Sequence, residues 1–399
     1  MKKYLLPLLF LVACQVDPTP EPPTPTTDFD WWDYIVDFDF DVHEIWTGEI
    51  TVFDGDGEPV PFAPFQLITK GEVIMESHTT MDGTANIHFD HYPSMDLQCK
   101  YVYGSVTHEA SIINDGFDIE FYMNEDVIYG TTDSDLDGIP DHADTHPINP
   151  HMSSTYLSKG KWLVEDLYPW KGDYDYNDVV IGYEWLVYYD ELMRPIKVDA
   201  DFMLEAVGGT LDNGFAIRVD SLMYAQIMNY ELSESKSDFV NDLGRAYFVI
   251  NFEVADEMGN MRNVLNHTAP IDTQSLSFEI MGGEAGDKFY GKRIDPMIIN
   301  NRVAYTWNEI HLKGRKPSRF FDSDYLDKGD DITLRSGYAQ TYCDTNGMPW
   351  MLHTDPMVTQ VVEYENFKNA YYYFKQWYVD QGLFNRDWHK YCDSTLIWK

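Results

Sequence analysis

Residues 132–147 of this 399-residue chain read T-D-S-D-L-D-G-I-P-D-H-A-D-T-H-P. Oxygen donors recur there at positions one, three, five, seven, nine and twelve of a loop with glycine at position six. The donors are Asp133, Asp135, Asp137, the backbone carbonyl of Ile139, Asp141 and Asp144. This is the ligand spacing of an EF-hand-type calcium loop, with Asp in place of the usual bidentate Glu at the last position. Carboxylates this close repel one another without a cation, so the stretch predicts a Ca²⁺ site whose occupation is coupled to folding.

A second run of oxygen donors lies 30 to 40 residues further on and consists of Asp173, Asp175, Asn177 and Asp178. One interpretation is a second Ca²⁺ site, completed by Glu165 or Asp166 from the preceding predicted strand. The other is an acidic hairpin whose side chains cap their own turn. The spacing of the donors is compatible with both.

No helical pattern flanks residues 133–144, so this loop resembles those of thrombospondin type 3 repeats and dockerins more than a helix-loop-helix EF-hand. Residues 131–147 are therefore predicted to be a calcium-binding linker between two β-rich regions. Before it, residues 28–130 hold short apolar runs separated by glycine turns, a pattern typical of an Ig-like β-sandwich. The run V-F-D-G-D-G-E-P-V-P-F-A-P-F at 52–65 resembles carboxypeptidase-regulatory-like modules.

After the linker, residues 148–399 continue in alternating apolar and polar runs, which predict antiparallel strands with one buried face. We expect a larger antiparallel β-sandwich or jelly-roll-like domain here. Near its end, residues 365–380 carry aromatic side chains at spacings of three and four, which predicts a helix that covers the sheet. The fold class predicted for the whole chain is mostly β.

The N-terminus has the features of a bacterial lipoprotein signal peptide at 1–14. Lys2 and Lys3 precede a short apolar run, and L-V-A-C at 11–14 matches a lipobox in which Cys14 becomes the lipidated residue. Residues 15–27 are rich in proline and predict an extended tether. We therefore expect a lipid-anchored protein of the bacterial cell envelope, in the outer membrane on its periplasmic or exposed face.

Composition restricts the class of partner. Asp and Glu number 67 against 28 Lys and Arg, which gives a formal net charge of −39. Such a charge argues against nucleic acid as a partner and favours divalent cations. Contact with the membrane is therefore expected through the N-terminal lipid alone.

Three cysteines remain after Cys14, and an exported chain permits disulfides. Cys343 and Cys392 lie in the same predicted domain, so a disulfide between them is a candidate pairing that the sequence does not decide. Cys99 would then be a buried thiol on a strand.

Seven motifs occur in an order similar to that of LruC-domain (DUF4842) proteins. They are the loop at 133–144, V-E-D-L-Y-P-W-K-G-D-Y-D-Y-N-D-V-V at 164–180, V-G-G-T-L-D-N-G-F at 207–215, N-E-I-H-L-K-G at 308–314, G-D-D at 329–331, T-N-G-M-P-W at 345–350 and E-N-F-K-N-A-Y-Y-Y-F-K-Q-W at 365–377. The resemblance implies a bacterial surface or periplasmic lipoprotein with an Ig-like module and a calcium-linked β-rich domain. The stretch at 164–180 also looks like calcium-dependent modules of bacterial adhesins, which favours the second Ca²⁺ site.

No nucleophile or zinc-protease motif occurs in the chain. The sequence therefore favours a calcium-stabilised binding, adhesion or structural module over an enzyme, with a surface glycan or a protein as the expected kind of ligand. Nothing in the sequence indicates an oligomeric state. The alternative is a carbohydrate-active or other secreted hydrolase, whose site would be two carboxylates facing each other across a deep cleft.

Overall fold

Eighteen strands and two short α-helices are the main elements of the described part of the chain in the computed structural model. That part comprises residues 40–103, 106–123, 129–209, 211, 213–233, 238–242, 244–250, 263–264, 268, 271–283, 294–303, 306–334 and 341–399. The predicted signal peptide, the lipidation site Cys14 and the predicted tether lie outside the described residues.

The strands and helices follow in chain order. They are β1 (Glu44–Phe53), β2 (Pro64–Thr69), β3 (Glu72–His78), β4 (Thr84–His91), β5 (Leu97–Tyr103), β6 (Val106–Ile112), β7 (Phe117–Tyr122), β8 (Ser154–Val164), β9 (Val179–Tyr189), β10 (Pro195–Ala206), β11 (Gly214–Met223), β12 (Ile227–Leu232), β13 (Asp238–Asp242), β14 (Arg245–Ile250), β15 (Asp272–Ile280), β16 (Ile294–Val303), β17 (Thr306–His311), β18 (Met351–Thr354), α1 (Phe367–Ala370) and α2 (Phe374–Val379). The prediction of a mostly β protein with a short C-terminal helical segment is confirmed.

Three sheets contain these strands. A three-stranded sheet has the order β4-β1-β7, and β1 and β7 run parallel. A ten-stranded sheet has the order β12-β15-β10-β9-β8-β3-β2-β5-β6, and β18 also pairs with β8. A five-stranded antiparallel sheet has the order β13-β14-β11-β16-β17. The layers pack on one another as sandwiches because each sheet has an apolar face to bury.

Side chains that alternate between core and solvent explain why these segments form strands. In β7, Phe117, Ile119 and Phe121 are buried while the residues between them are exposed. A period of two places those three side chains on one face of the sheet. Strand β14 is instead buried at five successive residues, which is the pattern of a strand covered on both faces.

The regions before and after the acidic loop share one sheet. Met75 of β3 pairs with Tyr156 of β8 in antiparallel register, and Glu76 pairs with Thr155. One continuous hydrophobic cluster extends from Ile50 to Met351 and includes side chains from both regions. The polypeptide on the two sides of the loop is therefore joined by main-chain hydrogen bonds and by a common core.

The predicted helix at 365–380 is interrupted in the structure. Tyr371 has an extended backbone (φ −113°, ψ 102°) and forms a β-bridge with Cys392, which separates α1 from α2. The aromatic stripe nevertheless lies in the core, where Phe367, Phe374 and Trp377 are buried. Tertiary pairing with the C-terminal segment thus overrides the local helical pattern.

Candidate metal centres

The acidic loop, residues 133–144, turns its first three carboxylates toward one another. Oxygens of Asp133, Asp135 and Asp137 lie within 4.8 Å of one another. Gly138 has a φ of +100°, a left-handed conformation that glycine adopts without steric cost. The Asp133 carboxylate accepts the amide of Gly138 at 3.1 Å, and the Asp137 carboxylate accepts the amide of Ile139 at 2.7 Å. These bonds orient the carboxylates into the loop.

The far end of the acidic loop contributes Asp144. Oδ2 atoms of Asp135, Asp137 and Asp144 are buried and accept no hydrogen bond from the residues that the structure describes. Burial raises the pKa of Asp144 to about 6, and the carboxylates of Asp137 and Asp135 add to that rise. Burial also raises the pKa of Asp137. A cation between these oxygens would remove both penalties, because it would compensate charge that burial and mutual repulsion disfavour.

Two predicted ligand residues of the acidic loop also hold the loop in place. The Asp141 carboxylate accepts the Ser134 amide at 2.7 Å and the Ser134 hydroxyl at 2.8 Å, so it braces the loop rather than joining the first three aspartates. Ile139 buries its side chain, which is 6% exposed, and so anchors the loop to the protein. The ligand role of its backbone carbonyl stays a prediction. Asp133, Asp135, Asp137 and Asp144 are the side chains of this loop best placed to hold a cation.

The acidic turn, residues 173–178, meets Glu165 from the end of β8. Oxygens of Glu165, Asp173 and Asp175 lie within 4.8 Å of one another. Glu165 is fully buried; its Oε1 accepts the amide of Tyr176 at 2.7 Å, and its Oε2 has no hydrogen-bond partner among the described residues. A Cβ atom at Gly172 would lie 1.7 Å from that Oε2, so only glycine leaves room for the carboxylate.

The backbone of the acidic turn is held in an uncommon conformation. Tyr174 and Tyr176 have φ values of +60° and +53°, in the left-handed region that bulky residues rarely adopt. The Tyr176 hydroxyl donates to the carbonyl of Pro349 at 2.9 Å, and the Tyr174 carbonyl accepts the amide of Phe367 at 2.8 Å. The tyrosines are thereby fixed in the protein, while the aspartates between and before them face Glu165. Strained backbone of this kind is often found at functional sites.

Buried acids in and around this turn lack the environment that stabilises negative charge. Burial raises the pKa of Asp175 to about 8, and the carboxylates of Asp173 and Glu363 add to the effect. Burial, with the carboxylates of Asp178 and Asp175, raises the pKa of Glu165 well above its ordinary value. Such perturbation indicates a functional site when it coincides with a converging geometry.

Asn177 and Asp178 complete the turn in different ways. The Asn177 side-chain amide donates to Asp175 Oδ2 at 2.9 Å, which leaves Asn177 Oδ1 buried and without a partner within the described ranges. Asp178 faces Asp166, whose amide donates to Asp178 Oδ2 at 2.8 Å. Burial raises the pKa of Asp178 to about 8, and the Asp166 carboxylate adds to that rise. The structure therefore brings all four predicted residues of this turn to one acidic cluster.

Sequence reasoning missed two residues of this cluster, Glu363 and Asn213. The Glu363 carboxylate reaches Asp175 from far along the chain, and the Asn213 side-chain amide donates to Asp166 Oδ2 at 2.7 Å. The motif at 207–215 could have pointed to Asn213, because paired glycines beside an amide side chain suggest a close approach. No comparable signal surrounds Glu363.

The disulfide considered between Cys343 and Cys392 does not form. Cys343 is a fully buried thiol whose backbone bridges Pro349, whereas the backbone of Cys392 bridges Tyr371. Burial raises the pKa of the Cys343 thiol to about 12, so this group is chemically inert at neutral pH.

The motif at 308–314 forms a buried charge network in the five-stranded sheet. His311 contacts Asp295 through Nδ1 at 3.1 Å and Glu309 through Nε2 at 3.2 Å, and Arg218 pairs with Asp295 at 2.5 Å. Burial lowers the pKa of His311, but Asp295 and Glu309 outweigh that effect and raise it to about 9. With His311 protonated, two cations face two carboxylates, so the network is balanced within the core.

Comparisons with known proteins address the fold and the family. No curated protein sequence matches the chain. The structure is similar to the crystal structure of a "putative lipoprotein" from Bacteroides ovatus, with a TM-score of 0.52 and 15% sequence identity over 90% of this chain and 99% of that one. BcpA, the major pilin subunit of Bacillus cereus, also aligns, but at a TM-score of 0.17 and 7% identity over 67% of each chain this alignment carries no argument.

The first of these similarities shows a shared fold across nearly the whole described chain. None of the described helices has the length and apolar character needed to cross a bilayer. The family comparison covers the region that contains β10 to α2, including Asn213, the buried charge network and Glu363. Residues 195–389 match the family model DUF4842, described as a domain of unknown function.

Proposed function

We propose that this protein is a calcium-stabilised module of the bacterial cell envelope, anchored by lipid at Cys14, with a binding, adhesive or structural role. The observation that carries the proposal is the fully buried Glu165, which has one oxygen without a partner among the described residues and a carboxylate that lies within 4.8 Å of those of Asp173 and Asp175. A buried carboxylate without a counter-charge is costly, and Ca²⁺ is a hard cation that takes six to eight oxygen ligands.

The acidic loop supports the proposal independently. Asp133, Asp135 and Asp137 converge there on a second point, and Asp144 adds a buried oxygen without a partner in the described part of the chain. The carboxylates of both clusters accept backbone amides, as those of Asp133 and Glu165 do. Groups fixed in this way suit a structural cation better than acid–base chemistry, so we propose no catalytic role.

The envelope location in this proposal draws on the lipobox and on the fold shared with the Bacteroides ovatus protein. A module of this kind would use calcium, which is abundant outside the cytoplasm, to hold its acidic segments against a core that spans both β-rich regions. Ligands of the expected kind are a surface glycan or a protein.

The test is calorimetric titration of the full chain with Ca²⁺ and, separately, with Mg²⁺. We expect saturable heat with Ca²⁺ and much weaker heat with Mg²⁺, because Mg²⁺ demands octahedral geometry and dehydrates reluctantly. Equal weak heats would contradict a specific calcium role.

A glycan and peptide array in calcium and in chelator then separates a binding role from a purely structural role. Membrane fractionation tests the lipid anchor, and retention of the Cys14→Ala variant in the membrane fraction would contradict it.

A further inference from the structure

The turn that follows α2 carries two large apolar side chains into solvent. We call it the apolar turn, residues 381–385, with the sequence Q-G-L-F-N. Leu383 is 76% exposed and Phe384 is 66% exposed, although the aromatic side chains of α1 and α2 before them all pack in the core. Adjacent apolar side chains left in water are unfavourable, so this pair indicates a contact with another apolar surface.

Hydrogen bonds hold the apolar turn on the end of α2. The Gly382 amide donates to the carbonyl of Trp377 at 2.9 Å, and the Leu383 amide donates to the carbonyl of Asp380 at 3.2 Å. Gly382 has a φ of +75°, the left-handed conformation with which glycine commonly ends a helix. The exposure of the two apolar side chains is therefore fixed by the same hydrogen bonds that end α2.

The apolar turn lies beside the point where the described chain begins. Arg386, the residue after the turn, donates from Nη2 to the carbonyl of Val42 at 2.8 Å. Phe40, the first described residue, packs on the ring of Tyr378 in α2, with 5.6 Å between the ring centroids. The segment that carries the proposed lipid anchor therefore joins the folded protein next to this turn.

We propose that the apolar turn is a membrane-contact site. The side chains of Leu383 and Phe384 insert into the surface of the bilayer to which the chain is anchored, at the boundary between headgroups and acyl chains. This inference rests on the proposed lipid anchor at Cys14. It adds a contact made by the folded protein to the contact through the lipid alone that the sequence predicts.

The size of the apolar pair favours a bilayer over a protein as the partner. A stable protein interface covers about 800 Å² on each partner, and two consecutive side chains on a turn supply only a small part of that area. A bilayer needs no complementary surface, because its interface accepts any apolar side chain that reaches it. The anchor also keeps the turn near the bilayer, and the resulting effective concentration allows a weak contact to be populated.

Charge next to the turn indicates which bilayer surface it suits. Arg386 forms an ion pair with Glu44, and Lys390 lies 3.7 Å from Asp387, so both cations near the turn have acidic partners. Asp380 directly precedes the turn, and the whole chain has a formal net charge of −39. An anionic lipid surface would repel such a protein, so the contact depends on apolar insertion and suits zwitterionic headgroups.

Photocrosslinking of the lipidated full chain in phosphatidylcholine vesicles tests the contact. Benzoylphenylalanine replaces Phe384 in one protein and Met81, which is 71% exposed, in the matched control. Met81 lies on the turn before β4, whose first residue pairs with Thr51 of β1. That end of β1 is about 23 Å along the strand from Glu44, the partner of Arg386. We expect a phospholipid adduct at position 384 and none at position 81.

Leu383→Ser in the protein with the probe at 384 should lower the adduct yield several-fold, because one of the two inserted side chains becomes polar. An unchanged yield would overturn insertion of the pair. Vesicle-bound protein with no lipid adduct at 384, with equal adducts at 384 and 81, or with a crosslink from 384 to a second copy of the chain would overturn the membrane contact and leave the anchor intact. Recovery of the wild-type chain free of vesicles would contradict the anchor itself.

Discussion

The backbone amide of Tyr176 donates a 2.7 Å hydrogen bond to one oxygen of Glu165, whose carboxylate lies within 4.8 Å of those of Asp173 and Asp175. Tyr176 can do so because its left-handed backbone, with φ of +53°, points its amide at the strand end that carries Glu165. One residue thus fixes the carboxylate while its own ring packs in the core.

Replacing Glu165 with glutamine should reduce the stabilisation that calcium gives. In chelator, Glu165→Gln should be at least as stable as the wild type, because a neutral amide replaces a buried acid without a counter-charge. In calcium at about 100 times Kd, it should be about 3 kcal/mol less stable, the free energy of one lost ion. Urea unfolding in both conditions measures this. Glu49→Gln, at an exposed position, should have the same free energy of unfolding as the wild type in both conditions. A loss of stability by Glu165→Gln that is equal in chelator and in calcium would contradict the account.

Asp137→Ala should remove the ion of the acidic loop and leave the centre at the acidic turn intact. The variant loses one of the three carboxylates that converge there, so we expect one fewer bound calcium and a lower Tm in calcium only. Asp56→Ala, at an exposed glycine turn, is the control and should change neither quantity. Unaltered calcium binding by Asp137→Ala would show that the loop holds no ion.

Local spacing pointed to the acidic loop because all of its predicted ligands lie within twelve residues. The same local reasoning included Glu165, because this residue lies close to the acidic turn in the sequence. Glu363 could not be found in this way, because it reaches the cluster only through packing of the C-terminal segment on the sheet. The break at Tyr371 has the same origin, since its bridge to Cys392 depends on tertiary structure.

The pairing of β3 with β8 predicts that both β-rich regions unfold together. Tyr156 is 1% exposed, pairs with Met75 and accepts the amide of Asp90 at 2.7 Å. Tyr156→Ala should cost about 3–5 kcal/mol through the cavity it leaves. Tyr156→Phe should cost about 1–3 kcal/mol, because the amide of Asp90 loses its acceptor.

Scanning calorimetry distinguishes joint unfolding of the two β-rich regions from independent unfolding. Wild type and both Tyr156 variants should each show one transition in calcium, displaced to lower temperature as the substitution becomes more severe. Two resolved transitions, of which only one moves, would show that the regions before and after the acidic loop are separate folding units.

The buried charge network predicts a pH dependence that His311→Gln should abolish. The pKa of His311 is about 9 in the folded protein and about 6.5 when unfolded, so its contribution is fully present below about pH 6.5 and is lost as the pH rises through about 9. Removing the positive charge leaves Asp295 and Glu309 with less compensation and should cost about 3–5 kcal/mol at low pH.

Urea unfolding in saturating calcium from pH 6 to pH 9.5 checks the sign. The difference in free energy of unfolding between wild type and His311→Gln should be largest at pH 6 and should shrink toward pH 9.5. A constant difference would show that the variant acts through packing alone, without a proton bound to His311.

The central claim is that bound calcium neutralises the buried carboxylates around Glu165 and within the acidic loop. Thermal unfolding of the wild-type chain in calcium, in magnesium and in chelator at equal ionic strength tests it most directly. The account predicts a Tm several degrees higher in calcium than in either of the others. The same Tm in all three conditions would contradict it.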